Sequence, residues 1–242
     1  RGQKENKAVH DILGFNISKL PITSYTISIG NMSELDEKIE LSNPYSIIKV
    51  KLGTPNDDKE IISQIRQRTD KLIRVDANEG WSLDNAKEMS YWLADRNVEF
   101  IEQPFKAKML NETRSLKEFS PLPLFADENS LVSSDIPKIV DCFDGINIKL
   151  MKCGGLDEAL KMIEIAKHFD MQIMLGCMVE SSVGITAAAQ LASEAVAVDL
   201  DGNLLIDNDP YKGVEVIEGR LHLSPNNNGM GLSLSKQEEG LL

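Results

Sequence analysis

Ile47-Ile48-Lys49-Val50-Lys51-Leu52 has the composition of a buried strand and yet carries two lysines. Side chains alternate across a strand, so Lys49 and Lys51 share a face with Ile47, while Ile48, Val50 and Leu52 take the other. Two ammonium groups so placed repel each other, and burial disfavours their charge, so at least one is expected to have a lowered pKa. That is how a protein makes a lysine into a base near neutral pH. Taken alone, the stretch reads better as an edge strand with solvated lysines. The segments around it shift the balance.

Strand-like runs begin near Ser24, Ile47, Leu72, Glu99, Leu124, Gly145, Gln172 and Val196, at intervals of 23, 25, 27, 25, 21, 27 and 24 residues. Each interval has room for a strand plus a helix. Helices are expected over Asp57 to Arg68, Ser82 to Asp95 with Ser82 as N-cap, Glu112 to Phe119, Ser134 to Cys142, Leu156 to Phe169 and Gly184 to Ser193. Eight strands alternating with helices give a parallel α/β arrangement, and eight parallel strands close into a barrel. The rival is an open doubly wound sheet, which usually shows a glycine-rich turn after its first strand. Ile29-Gly30-Asn31-Met32 is not one.

Residues 4 to 14 read as the end of a helix stopped at Gly14, and Leu20-Pro21 leads into the first strand. Residues 207–242 read as an irregular tail with a hairpin around Gly219 and a polar run, Ser224-Pro225-Asn226-Asn227-Asn228-Gly229. The expected division is therefore a connecting helix in 1–22, a barrel in 23–206 and a C-terminal segment in 207–242.

At 242 residues and 42% hydrophobic, the chain can bury a full core. Its formal net charge of -12, from 38 acidic against 26 basic residues, argues against a nucleic-acid partner. A small anionic substrate would need a local cation. Cys142, Cys153 and Cys177 lack metal-finger or redox spacing and fit reduced core thiols in a cytoplasmic protein. There is no apolar run of transmembrane length and no secretory signal, so no membrane partner is expected. The polar opening Arg1-Gly2-Gln3-Lys4-Glu5-Asn6-Lys7, without an initiator methionine, looks cut from something longer, and composition leaves a homo-oligomer open.

Barrel chemistry sits where strands end. Read in order, those ends give Lys51, Asp76 in Arg74-Val75-Asp76-Ala77-Asn78, Glu102 in Phe100-Ile101-Glu102-Gln103-Pro104, Asp127 in Phe125-Ala126-Asp127-Glu128-Asn129, and Lys149 in Ile146-Asn147-Ile148-Lys149. Singly, each acid could be a helix N-cap. Together, at about 4 Å and an effective dielectric near 20, each pair would repel by roughly 4 kcal/mol. A divalent cation removes that penalty, and an all-oxygen set favours Mg²⁺. Strands two and six face each other across such a barrel, so Lys51 and Lys149 would approach a substrate from opposite sides. Proton removal beside a carboxylate makes an enediolate that a Lewis acid stabilises. Removal on one face and return on the other inverts the carbon. Lys149, beside the metal's charge, is also expected to have a lowered pKa. Lys152, three residues on, reads as a solvated loop residue.

Lys49-Val50-Lys51, the acids Asp76, Glu102 and Asp127, and Lys149 in Asn147-Ile148-Lys149-Leu150-Met151-Lys152-Cys153-Gly154-Gly155 together resemble the enolase superfamily, in its muconate-lactonising subgroup. Asp199-Leu200-Asp201 at the eighth strand end resembles the acidic pair of dipeptide epimerases. The similarity runs from about Lys7 to Leu232. It implies a modified (β/α)₇β TIM barrel, Mg²⁺ bound by Asp76, Glu102 and Asp127, and a 1,1-proton transfer through Lys51 and Lys149. It further implies an auxiliary role for Lys49, a place beside the metal ligands for Asn78, and a dipeptide substrate whose ammonium is held by Asp199 and Asp201. Glu180-Ser181-Ser182 matches a segment lining the pocket rim. Family members also carry an N-terminal α+β capping domain, which is largely missing here, and little activity is expected from the barrel alone. Without the family, Asp199-Leu200-Asp201-Gly202 could be only a strand-ending turn. The alternatives are o-succinylbenzoate synthase, N-succinylamino acid racemase or muconate cycloisomerase chemistry on the same scaffold, or a non-catalytic binding barrel.

Overall fold

Eight short parallel strands separated by helical segments frame the computed structural model, which describes residues 1–28, 32–54, 56–223 and 228–235. Two short helices, α1 (Gly2–Glu5) and α2 (Val9–Leu13), precede β1 (Tyr25–Ile27). Then α3 (Leu35–Leu41) leads to β2 (Ile47–Lys51), α4 (Asp58–Arg66) to β3 (Leu72–Asp76), α5 (Leu83–Ala94) to β4 (Val98–Glu102), and α6 (Leu110–Lys117) to β5 (Leu124–Ala126). A 3-10 helix over Ser133–Lys138 leads to β6 (Gly145–Lys149), α7 (Leu150–Cys153) with α8 (Leu156–His168) to β7 (Gln172–Gly176), and α9 (Ser182–Ala189) to β8 (Ala197–Asp199). The tail holds β9 (Tyr211–Lys212), β10 (Glu215–Ile217), β11 (Arg220–His222) and β12 (Ser233–Leu234).

The sheet runs β1 to β8 in chain order, and β8 returns to β1 through a parallel bridge between Thr23 and Val198. This is the TIM-barrel-like architecture that the strand repeat predicts. Ile48, Val50, Ile73, Val75, Ile146 and Ile148 are fully buried and belong to the main apolar cluster with Ile61, Ile62 and Ile65 of α4 and Ala159 and Met162 of α8. A second, small cluster of Phe100, Phe125, Met174 and Ala197 forms separately from the strands alone. Alternation thus sends one set of side chains to the helices and the other inward, where the polar layer lies.

Two expectations change in detail. The helix expected over Ser134 to Cys142 is a 3-10 helix over Ser133–Lys138, because Pro137 lies inside it and removes a backbone donor. The helix end expected in residues 4 to 14 is two short helices separated at Asn6, whose φ of 55° breaks the helical path. Between β1 and β2, where the spacing calls for a helix without marking its residues, α3 forms and buries Leu35 and Ile39, one turn apart. The hairpin around Gly219 is present as β10 and β11, with Glu218 and Gly219 at φ 51° and 76°, both positive as a tight two-residue turn needs. Gly30-Asn31 and most of the Ser224 to Gly229 run lie outside the described residues. No helix among the described residues is long and apolar enough to cross a membrane.

Just past β2, backbone meets backbone. Gly53 has φ +99°, and a Cβ there would sit 2.2 Å from the Ala77 carbonyl oxygen. Gly53→Ala combines left-handed strain with overpacking and is expected to cost about 2–4 kcal/mol in urea unfolding. A change near zero would contradict this packing.

Candidate active site

Strand register builds the site. Lys51 pairs with Asp76, and Asp76 pairs with Glu102, so β2, β3 and β4 deliver a lysine and two carboxylates at one level of the barrel. Glu102 pairs with Phe125, which puts Asp127 two residues further along the same rim. On the other side Lys149 pairs with Gly176, and Gly176 with Asp199. Asn147 fills the space that Gly176 leaves, where a Cβ would lie 2.5 Å from its Oδ1, and its Nδ2 donates to Glu102 Oε1 at 2.7 Å.

Lysines and carboxylates interlock in this layer. Lys49 Nζ lies 3.3 Å from Asp76 Oδ2, 2.8 Å from Glu102 Oε2 and 2.9 Å from Asp199 Oδ2. Lys51 Nζ lies 3.4 Å from Asp76 Oδ2, and Lys149 Nζ donates to Asp127 Oδ2 at 2.8 Å. The Asn78 backbone amide donates to Asp76 Oδ1 at 3.0 Å. Asp76, Glu102, Asp127, Lys49 and Lys149 are buried, whereas the Lys51 side chain is 41% exposed.

For Lys149 this network corrects the expectation of a lowered pKa, and of the pair on β2 it excludes Lys49 as the lowered member. Burial alone would lower Lys49, but Asp199, Glu102 and Asp76 outweigh it and hold the ammonium well above the usual lysine range. Lys149 is also raised: burial and Lys49 lower it, and Asp127 and Glu102 overcome both. The cost falls on the acids. Burial pushes Glu102 up to about 7 against the pull of Lys49, with Asp76 and Asp127 adding to the rise. Asp127 goes the other way, because Lys149 and Lys152 overcome its burial.

The acidic pair divides its work. Both Asp199 oxygens are engaged, Oδ1 by the hydroxyls of Ser24 at 2.6 Å and Thr26 at 3.2 Å, and Oδ2 by Lys49. Asp201 Oδ2 accepts from the Thr26 amide at 2.7 Å, while the Cys177 sulfur lies 4.0 Å from Oδ1. Burial and then Asp199 push the Asp201 carboxyl up to about 6. Asp201 is therefore better placed to accept a new cation.

One cavity of about 220 Å³ joins these parts; Lys51 and Lys149 both line it, as do Asn78, Asp127, Asp199 and Asp201. Met178, Val179 and Leu205 form an apolar side. Glu180 is not among its lining residues: Oε1 accepts from the Met178 amide at 3.0 Å, and the carboxylate lies over Gly184. Lys152 corrects the reading of a solvated residue. The single turn of α7 carries it back over the rim, where Nζ donates to Asp127 Oδ1 at 2.6 Å. Sequence reasoning also passed over Ser24, just before β1, and Thr26 on it, whose alternation is the same signal that marks Lys49 and Lys51. Gln103 is another, since its Oε1 accepts from the Asp127 amide at 2.9 Å.

Asp76, Glu102 and Asp127 offer only carboxylate oxygens, and Glu102 Oε2 has charge contact with Lys49 but no hydrogen bond of good geometry. That donor chemistry fits a hard divalent cation. As the side chains stand, ammonium groups face those oxygens, and no group of three His, Cys, Asp or Glu among the described residues is arranged to hold a metal.

Comparison with known proteins follows the same lines. The enolase C-terminal domain-like family matches residues 33–238. The L-Ala-D/L-Glu epimerase of Bacteroides thetaiotaomicron is 44% identical over 89% of this chain, which spans 56% of that protein's length. The L-Ala-D/L-amino acid epimerase of Flavobacterium johnsoniae is 38% identical, over 96% of this chain and 68% of the relative. A dipeptide epimerase of Cytophaga hutchinsonii, solved with Mg and D-Ala-L-Val, superposes with a TM-score of 0.89 at 28% identity, covering 97% of this chain and 67% of that one. By its family match and its identity to these relatives, the chain belongs to the enolase superfamily, as a C-terminal-domain-like barrel of the dipeptide epimerase type.

Proposed function

We propose that this barrel epimerises dipeptides at the α-carbon of the C-terminal residue, by a two-lysine 1,1-proton transfer that depends on Mg²⁺. The observation that carries the reading is that Lys51 and Lys149, on strands lying opposite each other in the eight-strand order, line one cavity. Lys51 takes the α-proton on one face and Lys149 returns a proton to the other, so the centre inverts; the reverse reaction exchanges their roles. Lys49 holds Asp76, Glu102 and Asp199 in place beneath them. Asp201 takes the substrate's ammonium, and the substrate carboxylate turns to the cationic side of the cavity. Asp76, Glu102 and Asp127 would hold Mg²⁺, with Asn78 supporting Asp76; the ion would supply positive charge beside the substrate carboxylate and would offset the carboxylates that hold Lys49 and Lys149 above the usual lysine range.

A dipeptide library incubated in D₂O with Mg²⁺ and read by mass spectrometry tests this. Solvent deuterium should enter the α-carbon of at least one dipeptide; none from any member would leave only binding.

The carboxyls also set a pH dependence of stability. Glu102 and Asp201 sit at about 7 and about 6, above their ordinary 4.5 and 3.8. The fold favours their protonated forms, so their contribution is complete below those ordinary values and is lost as pH rises through the raised ones. Urea unfolding should show a loss on the order of 2–5 kcal/mol between about pH 4.5 and 7.5. Mg²⁺ should raise Tm more at pH 7.5 than at 5, since an ion at Glu102 competes with its proton. Equal shifts at both would contradict Glu102 as a ligand.

A further inference from the structure

The loops that follow β2 and β3 are tied together by a side chain outside the cavity's reacting groups. Asp58, at the start of α4, is buried. Its Oδ1 accepts from the Thr54 amide at 3.1 Å and the Thr54 hydroxyl at 2.9 Å, and its oxygens lie 3.1 and 3.2 Å from the Gly53 amide. Its Oδ2 also accepts from the Trp81 indole Nε1 at 2.7 Å. One carboxylate therefore holds residues two and three positions past Lys51 and, in the same grip, a residue five positions past Asp76.

The surroundings make the grip stiff. Leu52 N donates to the Asp76 carbonyl at 2.7 Å, and Gly80 approaches so closely that a Cβ on it would sit 2.3 Å from the Gly53 carbonyl oxygen. Asn78 and Glu79 between them hold positive φ of 44° and 62°. Lys149 and Asp127, on β6 and after β5, share none of these contacts.

We infer that Asp58, acting through Gly53, Thr54 and Trp81, is a positioning residue that sets where Lys51 stands relative to Asp76 and Asn78. The inference rests on the epimerase reading for its consequence and on geometry alone for its cause. A clamp on one lysine's strand end should affect one face of the reacting carbon. A residue that only starts α4 would lower stability and affect both faces alike.

The test uses Asp58→Ala and the milder Trp81→Phe, which removes the indole donor and keeps the ring, each in the full protein with its thermal unfolding measured alongside. The first arm follows α-proton exchange in D₂O from each epimer, with Lys51→Ala identifying the epimer that depends on Lys51. That epimer's exchange should fall by about 100-fold in Asp58→Ala, the scale of a misplacement near 1 Å, while the other changes far less. A smaller loss with the same asymmetry is expected for Trp81→Phe. The second arm needs no turnover: competitive acylation read by mass spectrometry compares Lys51 with Lys149, and the variants should shift the Lys51 rate several-fold and leave Lys149 unchanged. Equal loss for both epimers, or acylation that changes at both lysines or at neither, overturns the inference. If the unsubstituted protein exchanges no dipeptide, the epimerase reading fails, and the acylation arm still decides whether Asp58 sets Lys51.

Discussion

Lys51→Ala and Lys149→Ala are each expected to abolish epimerisation while leaving α-proton exchange from one epimer, a different epimer in each case. With two bases on opposite faces, removing one blocks inversion but leaves the other able to take and return a proton on its own side. The loss of epimerisation should be about 10²- to 10⁴-fold, the usual contribution of a positioned acid or base. Lys149 is buried against Asp127, whereas Lys51 is part exposed and touches only Asp76 among the carboxylates, so Lys149→Ala also takes one of two ammonium partners from a buried acid and leaves it Lys152 alone. Its loss of exchange should therefore be read beside its Tm. If either variant loses exchange from both epimers while remaining folded, one lysine does all the proton transfer and the opposed-base account is wrong.

Asp201→Asn is expected to separate dipeptides from N-acylated substrates. A free ammonium needs the carboxylate's charge, so loss of that pairing should cost about 2–4 kcal/mol, or roughly 30- to 1000-fold in kcat/KM. Substrates such as N-succinylamino acids carry no ammonium and should be nearly unaffected. Asp201 is a cleaner probe than Asp199, because Asp199→Asn also removes a partner of Lys49 and an acceptor for Ser24 and Thr26. Unchanged dipeptide turnover in Asp201→Asn, with good activity on an N-acyl amino acid, would move the assignment to one of the sister reactions.

Much of this was legible in the sequence because a parallel barrel converts strand ends into a shared rim. Once the strand spacing near 25 residues is read, Lys51, Asp76, Glu102, Asp127, Lys149 and Asp199 fall at one end of the sheet by period alone. What period cannot supply is the distance between side chains from different strands. Alternation places Lys49 and Lys51 on one face, but the direction of the Lys49 shift depends on three carboxylates that reach it from β3, β4 and β8. Lys152 escaped for a similar reason, since the short helix α7 after β6 turns its side chain back to Asp127. The two acids of Asp199-Leu200-Asp201 look equivalent in sequence and differ in the fold, where Ser24, Thr26 and Lys49 take up Asp199 far more than Asp201 is taken up. Glu180 sits on the pocket's edge in sequence, yet its carboxylate is spent on its own loop.

The most direct measurement is the isotope content of the first epimerised product, taken at early conversion in D₂O with Mg²⁺ from each epimer in turn. Two opposed lysines predict that solvent deuterium appears at the α-carbon of the inverted product in both directions. Inverted product that retains its original proton throughout, or an α-carbon that never exchanges in either epimer, would contradict the account.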